Sequence, residues 1–150
     1  MKKRLYLFEF HRSLLDVSID YTNLSDVDKE KLINFDIYTS FDYDDKIHGY
    51  NNYILSSKSE IEKFKELLYN NAIPYICKDI SDHIIRNRYD LAEKMKKYVN
   101  KSNKMIYNSF FKKINEWIGN NLDLDIVLDI INEKGIKHLR QIDIDYLKKI

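Results

Sequence analysis

Apolar positions in the first eighty residues recur mostly with the two-residue period of β-strands, and once with the period of a helix. Short apolar or alternating segments predict strands at residues 4–10, 14–22, 35–41, 50–56 and 75–77. Ile61, Phe64 and Leu68 share one helical face behind a capping serine, Ser57 or Ser59. The strand–helix–strand order that follows predicts a helix lying on a sheet. A second, shorter helix is predicted over 25–33.

After residue 80 the period is helical throughout. Two apolar stripes have three- and four-residue spacing: Leu91, Met95, Tyr98 and Val99, then Ile106, Phe110, Ile114, Trp117 and Ile118. Gly119 predicts the end of the second helix. A third helix is expected to begin at Asp123 or Asp125 and to end at Gly135. A final short helix is expected over 143–149.

These elements predict the α+β class. We expect a sheet of four to five strands, mixed or antiparallel, with a ferredoxin-like core as one arrangement that fits the central strand–helix–strand order. A helical C-terminal half is expected to pack against that sheet. The sequence has no internal repeat and no linker, so we predict a single domain over 1–150, with a sheet-forming part at 1–80 and a helical part at 81–150.

Composition places the chain among ordinary globular proteins. Of its 150 residues, 44% are hydrophobic and 33% are charged, which supplies a core and leaves excess charge for the surface. No segment approaches the ~18 consecutive apolar residues of a membrane span, so we expect a soluble protein without a membrane partner. The single cysteine, Cys77, cannot form an intramolecular disulfide, which favours a reducing, cytoplasmic location.

Charge is distributed unevenly along the sequence. Residues 13–83 contain fourteen acidic and seven basic side chains, whereas residues 84–115 contain nine basic and two acidic ones. The basic segment yields the candidate binding residues: Arg86, Arg88, Lys96, Lys97, Lys101, Lys104, Tyr98 and Tyr107. As a functional surface they would bind nucleic acid or an acidic protein, with the tyrosines stacking on bases. Alternatively, they form a solvated helical face, and the pI of 7.7 is lower than dedicated nucleic-acid binders usually show.

The sequence contains no complete catalytic, cofactor or metal motif, and we assign no catalytic residue, no metal ligand and no cofactor. The three glycines stand alone, so the chain has no phosphate-binding loop. Asp42, Asp44, Asp45 and His48 could hold a cation, but a solvated hairpin turn explains them as well. Cys77 is expected to be a small core residue rather than a nucleophile.

The C-terminal stretch 124–139 reads LDIVLDIINEKGIKHL, and Tyr146 and Leu147 follow it. A leucine- and aspartate-rich helix, then Glu-Lys-Gly-Ile, then a second short helix resembles a short helical tail found at the C-terminus of assorted bacterial proteins. Some membrane proteases of the rhomboid family carry such a tail. The resemblance covers only residues 124–147, and it implies two short helices and no catalytic role.

Three functions remain open. The reading we favour is a small cytoplasmic protein-binding module (an adaptor, immunity-type or regulatory protein) without catalytic activity, because many tyrosines and a divided charge suit recognition of another protein. The first alternative is a nucleic-acid-associated accessory protein that uses the basic segment 86–113. The second is an enzyme with a dispersed carboxylate or histidine site. The sequence does not indicate an oligomeric state.

Overall fold

The computed structural model describes residues 1–11, 26–27, 38–44 and 49–150. The chain divides into two compact units, Met1–Ile80 and Ser81–Ile150, which we call the sheet unit and the helical unit. The boundary falls where the apolar period of the sequence changes from that of strands to that of helices. The single-domain prediction stays a prediction.

The sheet unit is built around its first strand. β1 (Arg4–His11), β2 (Tyr38–Asp44), β3 (Gly49–Ser56) and β4 (Ile76–Asp79) follow one another along the chain and lie in the order β2–β3–β1–β4. Every pairing is antiparallel. β1 occupies an inner position because both of its faces are apolar. Leu5, Leu7, Phe8 and Phe10 are all buried, so strand pairing on both sides satisfies a backbone that water cannot reach.

A helix covers one face of this sheet, as the sequence predicts. α1 (Lys58–Asn70) begins at Ser57, whose Oγ accepts a hydrogen bond from the Glu60 backbone N–H at 3.3 Å, and ends at Asn71. The core that forms between α1 and the sheet consists of Tyr6, Phe8, Phe10, Ile54, Ile61, Phe64, Leu67, Leu68 and Ile73. The Phe8 and Phe64 rings meet edge to face, with centroids 4.9 Å apart.

The class is α+β, but the predicted sheet of four to five strands, mixed or antiparallel, is wrong. The sheet against which α1 packs has three antiparallel strands, β3, β1 and β4, and the described residues also form six α-helices. β2 pairs with the outer edge of β3 through its backbone, and its side chains are not described. No described pairing is parallel, because β1 lies between the two strands that α1 connects.

One of the predicted strands lies outside the described residues, and another has different bounds. The alternating segment 14–22 lies outside the described residues, as does nearly all of 12–37, where a ferredoxin-like core would need its first helix. The strand predicted over 35–41 is instead Tyr38–Asp44, so the residues predicted to form an acidic turn continue the strand. Asp45 and His48 lie outside the described residues.

The helical unit contains five helices joined by short turns. They are α2 (Ser81–Ile85), α3 (Leu91–Met95), α4 (Lys104–Asn121), α5 (Leu124–Lys134) and α6 (Gln141–Lys149). Single 3-10 turns lie at Lys96–Tyr98 and Ile136–His138. Gly135 ends α5 with a φ of 86°, as the sequence predicts. The described residues contain no helix long and apolar enough to cross a membrane.

The buried stripe of α4 differs from the predicted one at its first position. Ile106 is 64% exposed, and Tyr107 is buried in its place, ahead of Phe110, Ile114 and Trp117. A tyrosine supplies an aromatic body for the core, and helical spacing is compatible with either neighbour. The helix also continues past Gly119 to Asn121, so the predicted end was wrong.

An ion pair anchors α6 within the helical unit. Asp143 is fully buried and accepts hydrogen bonds at 2.9 Å from the backbone N–H, Nε and Nη2 of Arg140. The same guanidinium donates to the backbone carbonyls of Ile84 and Ile85, at the end of α2. One arginine therefore satisfies a buried carboxylate and two terminal helix carbonyls at once.

Candidate functional site

The basic segment does not form one surface, because its two arginines are engaged within the helical unit. Arg86 pairs with Asp129, and Arg88 donates from Nε to Glu133 Oε2 at 3.0 Å and from Nη2 to Glu133 Oε1. Both acids lie on α5, one helical turn apart. The hydrogen bonds from Arg88 lower the pKa of the Glu133 carboxyl. These arginines therefore connect the residues after α2 to α5.

The two candidate tyrosines do not provide stacking platforms of the predicted kind. Tyr107 is 6% exposed and belongs to the core, so stacking of a base on its ring is excluded. Tyr98 is half-buried, and its backbone carbonyl accepts a hydrogen bond from Asn103 Nδ2 at 2.9 Å. That bond belongs to an asparagine-built turn, in which Asn100 and Asn103 cap each other's backbone N–H groups.

Part of the basic segment does reach solvent. Lys96, Lys101 and Lys104 are exposed, while the side chain of Lys97 is not described. Lys96 lies in the 3-10 turn, Lys101 lies in the turn before α4, and Lys104 is the first residue of α4. Of the eight predicted site residues, three lysines are therefore exposed among those described, one in the 3-10 turn and two at or just before the start of α4.

The helical unit has a groove of about 810 Å³ between α4 and α6 that the sequence did not predict. The residues that line it are Asn108, Phe111, Lys112, Asn115, Glu116, Gly119, Asn120, Ile142, Asp145, Tyr146 and Lys149. The α4 members recur at three- and four-residue spacing, so they form one stripe, opposite the buried stripe of the same helix. The α6 members do the same on the facing helix.

A glycine lets the two walls of the groove approach each other. A Cβ atom on Gly119 would lie 3.1 Å from Ile142 Cδ1, closer than carbon atoms normally come. Glycine in the interior of a helix is unfavourable by about 0.5–1 kcal/mol relative to alanine. Here that residue allows Ile142 of α6 to sit directly against the α4 backbone, which closes the groove at its base.

The chemistry of the groove is mixed and has no net charge. Lys112 and Lys149 are balanced by Glu116 and Asp145, and Asp145 Oδ1 accepts a hydrogen bond from Gln141 Nε2 at 2.8 Å. Three side-chain amides supply further donors and acceptors in exposed positions: Asn108, Asn115 and Asn120. Amide, aromatic and paired charged groups together suit a polypeptide, which offers backbone donors, backbone acceptors and apolar side chains.

The apolar part of the groove consists of two half-buried aromatic residues. Phe111 lies on α4, and Tyr146 lies on α6. Aromatic side chains that are partly exposed in a cleft can bury a large area on binding while losing few rotamers. The sequence carried a signal for this wall, a polar stripe at 108, 112, 115 and 116 beside Phe111, but nothing local pairs it with 142–149.

Cys77 lacks the surroundings of a nucleophile. It is half-buried against the core of the sheet unit, and burial raises the pKa of its thiol to about 11, with Asp79 and Glu62 adding to the shift and Lys65 opposing it. The described parts of the chain bring no three metal-ligating side chains of His, Cys, Asp or Glu together. The dispersed enzyme site stays a prediction.

Comparison with known proteins identifies no relative of this chain. No protein-family model matches it, and neither a curated protein nor a solved structure shows significant similarity to it. The likeness of residues 124–147 to a bacterial helical tail is thus left as a resemblance of pattern. α5, the turn at Gly135 and α6 occupy that stretch.

Proposed function

We propose that this chain is a non-catalytic protein-binding module and that the groove between α4 and α6 is its contact surface. The observation that carries the proposal is the combination of two half-buried aromatic residues, Phe111 and Tyr146, with exposed amides in one groove. An interface of this kind needs an apolar centre with polar groups around it. We place the module in the cytoplasm because its single cysteine suits a reducing compartment.

Charge supports a protein partner over nucleic acid at this surface. Glu116 and Asp145 line the groove and would repel phosphate groups, whereas a polypeptide can pair with both signs. Elsewhere, Arg86 and Arg88 are paired with acids of α5, and Tyr107 is buried, so three of the eight residues proposed for nucleic acid are engaged in structure. Binding of nucleic acid would rest on the exposed lysines alone.

A blocked groove tests the proposal. Asn115→Arg places a long charged side chain in the groove, and Asn132→Arg makes the same change at an exposed position of α5 that does not line it. Tagged wild type and both variants are expressed in the native host, and the proteins recovered with and without nuclease treatment are quantified by mass spectrometry. We expect a protein that copurifies with wild type and Asn132→Arg and is lost with Asn115→Arg.

Two controls give the result its meaning. Circular dichroism and the fluorescence of Trp117, the only tryptophan in the sequence, should be unchanged in both variants. Equal recovery of the same proteins by all three chains would contradict the groove as contact surface. Recovery that disappears on nuclease treatment would favour the nucleic-acid alternative instead.

A further inference from the structure

The stripe of α4 that lines the groove continues beyond it toward the start of the helix. Met105 and Lys104 lie three and four residues before Asn108, so both belong to the same side of α4 as the groove wall. Met105 is 83% exposed, the largest exposed fraction among the large hydrophobic residues described. An unbranched, flexible side chain left in solvent beside a groove is typical of surfaces that adapt to a partner.

The charge along this stripe is asymmetric. Lys104 and Lys112 lie on the stripe, Lys101 lies in the turn just before the helix, and the first turn of α4 contains no acid. The unpaired backbone N–H groups of the helix start add partial positive charge in the same place. Carboxylates occur only farther along, at Glu116 on α4 and, across the groove, at Asp145 on α6, which also contributes Lys149 to the lining.

We infer that the partner of the groove is an acidic amphipathic segment of another protein, lying along α4 with its acidic end over Lys101 and Lys104. Its apolar side chains contact Met105, Phe111 and Tyr146, and its other end, near Glu116 and Asp145, is neutral or basic. This inference rests on the proposed function and adds the chemistry and direction of the partner. Complementary charge fixes orientation and speeds encounter more than it raises affinity, so the direction should be the most robust feature.

A peptide library tests this without knowledge of the natural partner. Random 16-residue peptides displayed on phage are selected on the wild-type chain, and peptides that also bind Asn115→Arg are discarded as independent of the groove. We expect the remaining peptides to be enriched in Asp and Glu toward one end and in apolar residues at three- or four-residue spacing. Their binding should weaken as salt is raised.

Reversal of charge tests the direction. The double variant Lys101→Glu, Lys104→Glu should lose the acidic preference and bind a selected acidic peptide roughly tenfold more weakly. The control Lys58→Glu, Lys137→Glu changes net charge by the same amount at exposed lysines outside the stripe, and it should bind that peptide like wild type. Binding is measured by fluorescence anisotropy of the labelled peptide.

The outcomes separate the two claims. If selection yields no peptide that depends on the groove, both the proposed function and this inference fail. Groove-dependent peptides without acidic enrichment would overturn the inference and leave the protein-binding groove intact. A third outcome concerns a single-stranded oligonucleotide that binds wild type but not the Lys101 and Lys104 double variant. If this oligonucleotide also displaces the selected peptide, the inference is overturned, because those lysines would then bind nucleic acid.

Discussion

The two units of this chain bury polar side chains in opposite ways. In the helical unit, the buried carboxylate of Asp143 receives three hydrogen bonds from Arg140. In the sheet unit, both side-chain polar atoms of Asn52, the Oδ1 of Asn51 and the Oγ of Ser56 are buried, and no hydrogen-bond partner for them is found in the described part of the chain. All three residues lie on β3.

The buried polar groups therefore have different consequences for the two units. A buried charge with every bond satisfied ties α6 to one position, and α6 is a wall of the groove. A buried amide without a partner costs about 1–3 kcal/mol and fixes nothing by itself. We therefore expect the buried polar groups to stabilise the helical unit and to lower the stability of the sheet unit.

The largest effects should come from the apolar cores, where the units ought to behave alike. Trp117→Ala in α4 and Phe8→Ala in β1 each remove a large side chain that is at most 6% exposed. Each should lower the free energy of unfolding by about 3–5 kcal/mol, measured by urea denaturation followed by circular dichroism. If only one of the two substitutions lowers the free energy of unfolding, the core of the other unit is poorly packed.

A substitution at Asp143 tests most directly whether the buried ion pair stabilises the helical unit. Asp143→Ala leaves the Arg140 guanidinium without its acid and should cost about 3 kcal/mol, near the lower limit for a broken buried pair because Arg140 is 22% exposed. Trp117 fluorescence follows the helical unit during unfolding. Asp145→Ala, on the exposed side of the same helix, is the control and should change little. If both variants unfold alike, the buried pair does not anchor α6.

A change of opposite sign is expected in the sheet unit. Asn52→Val removes a fully buried amide that has no hydrogen-bond partner among the described residues, and it introduces a residue that favours strands. The free energy of unfolding should rise by about 1–3 kcal/mol, measured by the same denaturation. Destabilisation would show that the amide is satisfied in solution, and the contrast between the units would disappear.

The smallest effect concerns an exposed ion pair and depends on pH. Hydrogen bonds from Arg88 lower the pKa of Glu133 in the folded chain, so this carboxylate stabilises the fold above its ordinary pKa and less as pH falls through the lowered value. We therefore expect Glu133→Gln to have a slightly lower midpoint of urea unfolding than wild type at pH 7. The two midpoints should converge in acid, and a gap that widened on acidification would have the wrong sign.

Features fixed by local sequence were predictable. β1, β3 and α1 lie where the apolar period places them, and Ser57 caps α1 because the capping bond spans only three residues. Tyr107 was misplaced because neighbouring residues of a helix can exchange places at the edge of a buried stripe, which periodicity alone does not resolve.

Features that depend on distant residues were not predictable. Arg86 and Arg88 meet acids 43 and 45 residues away, so a count of charges along 84–115 treats them as free when they are paired. The groove requires that Gly119 meet Ile142, a contact between two helices that no local pattern encodes. The sequence thus indicated a basic segment, whereas the site we propose lies largely along the neighbouring stripe of α4.

The most direct test of the groove is site-specific photocrosslinking in the native host. A photoreactive phenylalanine analogue is introduced at Asn115, inside the groove, or at Asn132, outside it, and cells are irradiated at normal expression. We predict a discrete protein adduct from position 115 that is absent from position 132 and is reduced when Lys101 and Lys104 are changed to Glu. Adducts of equal yield from both positions, or an adduct from position 132 alone, would contradict the groove as the binding surface.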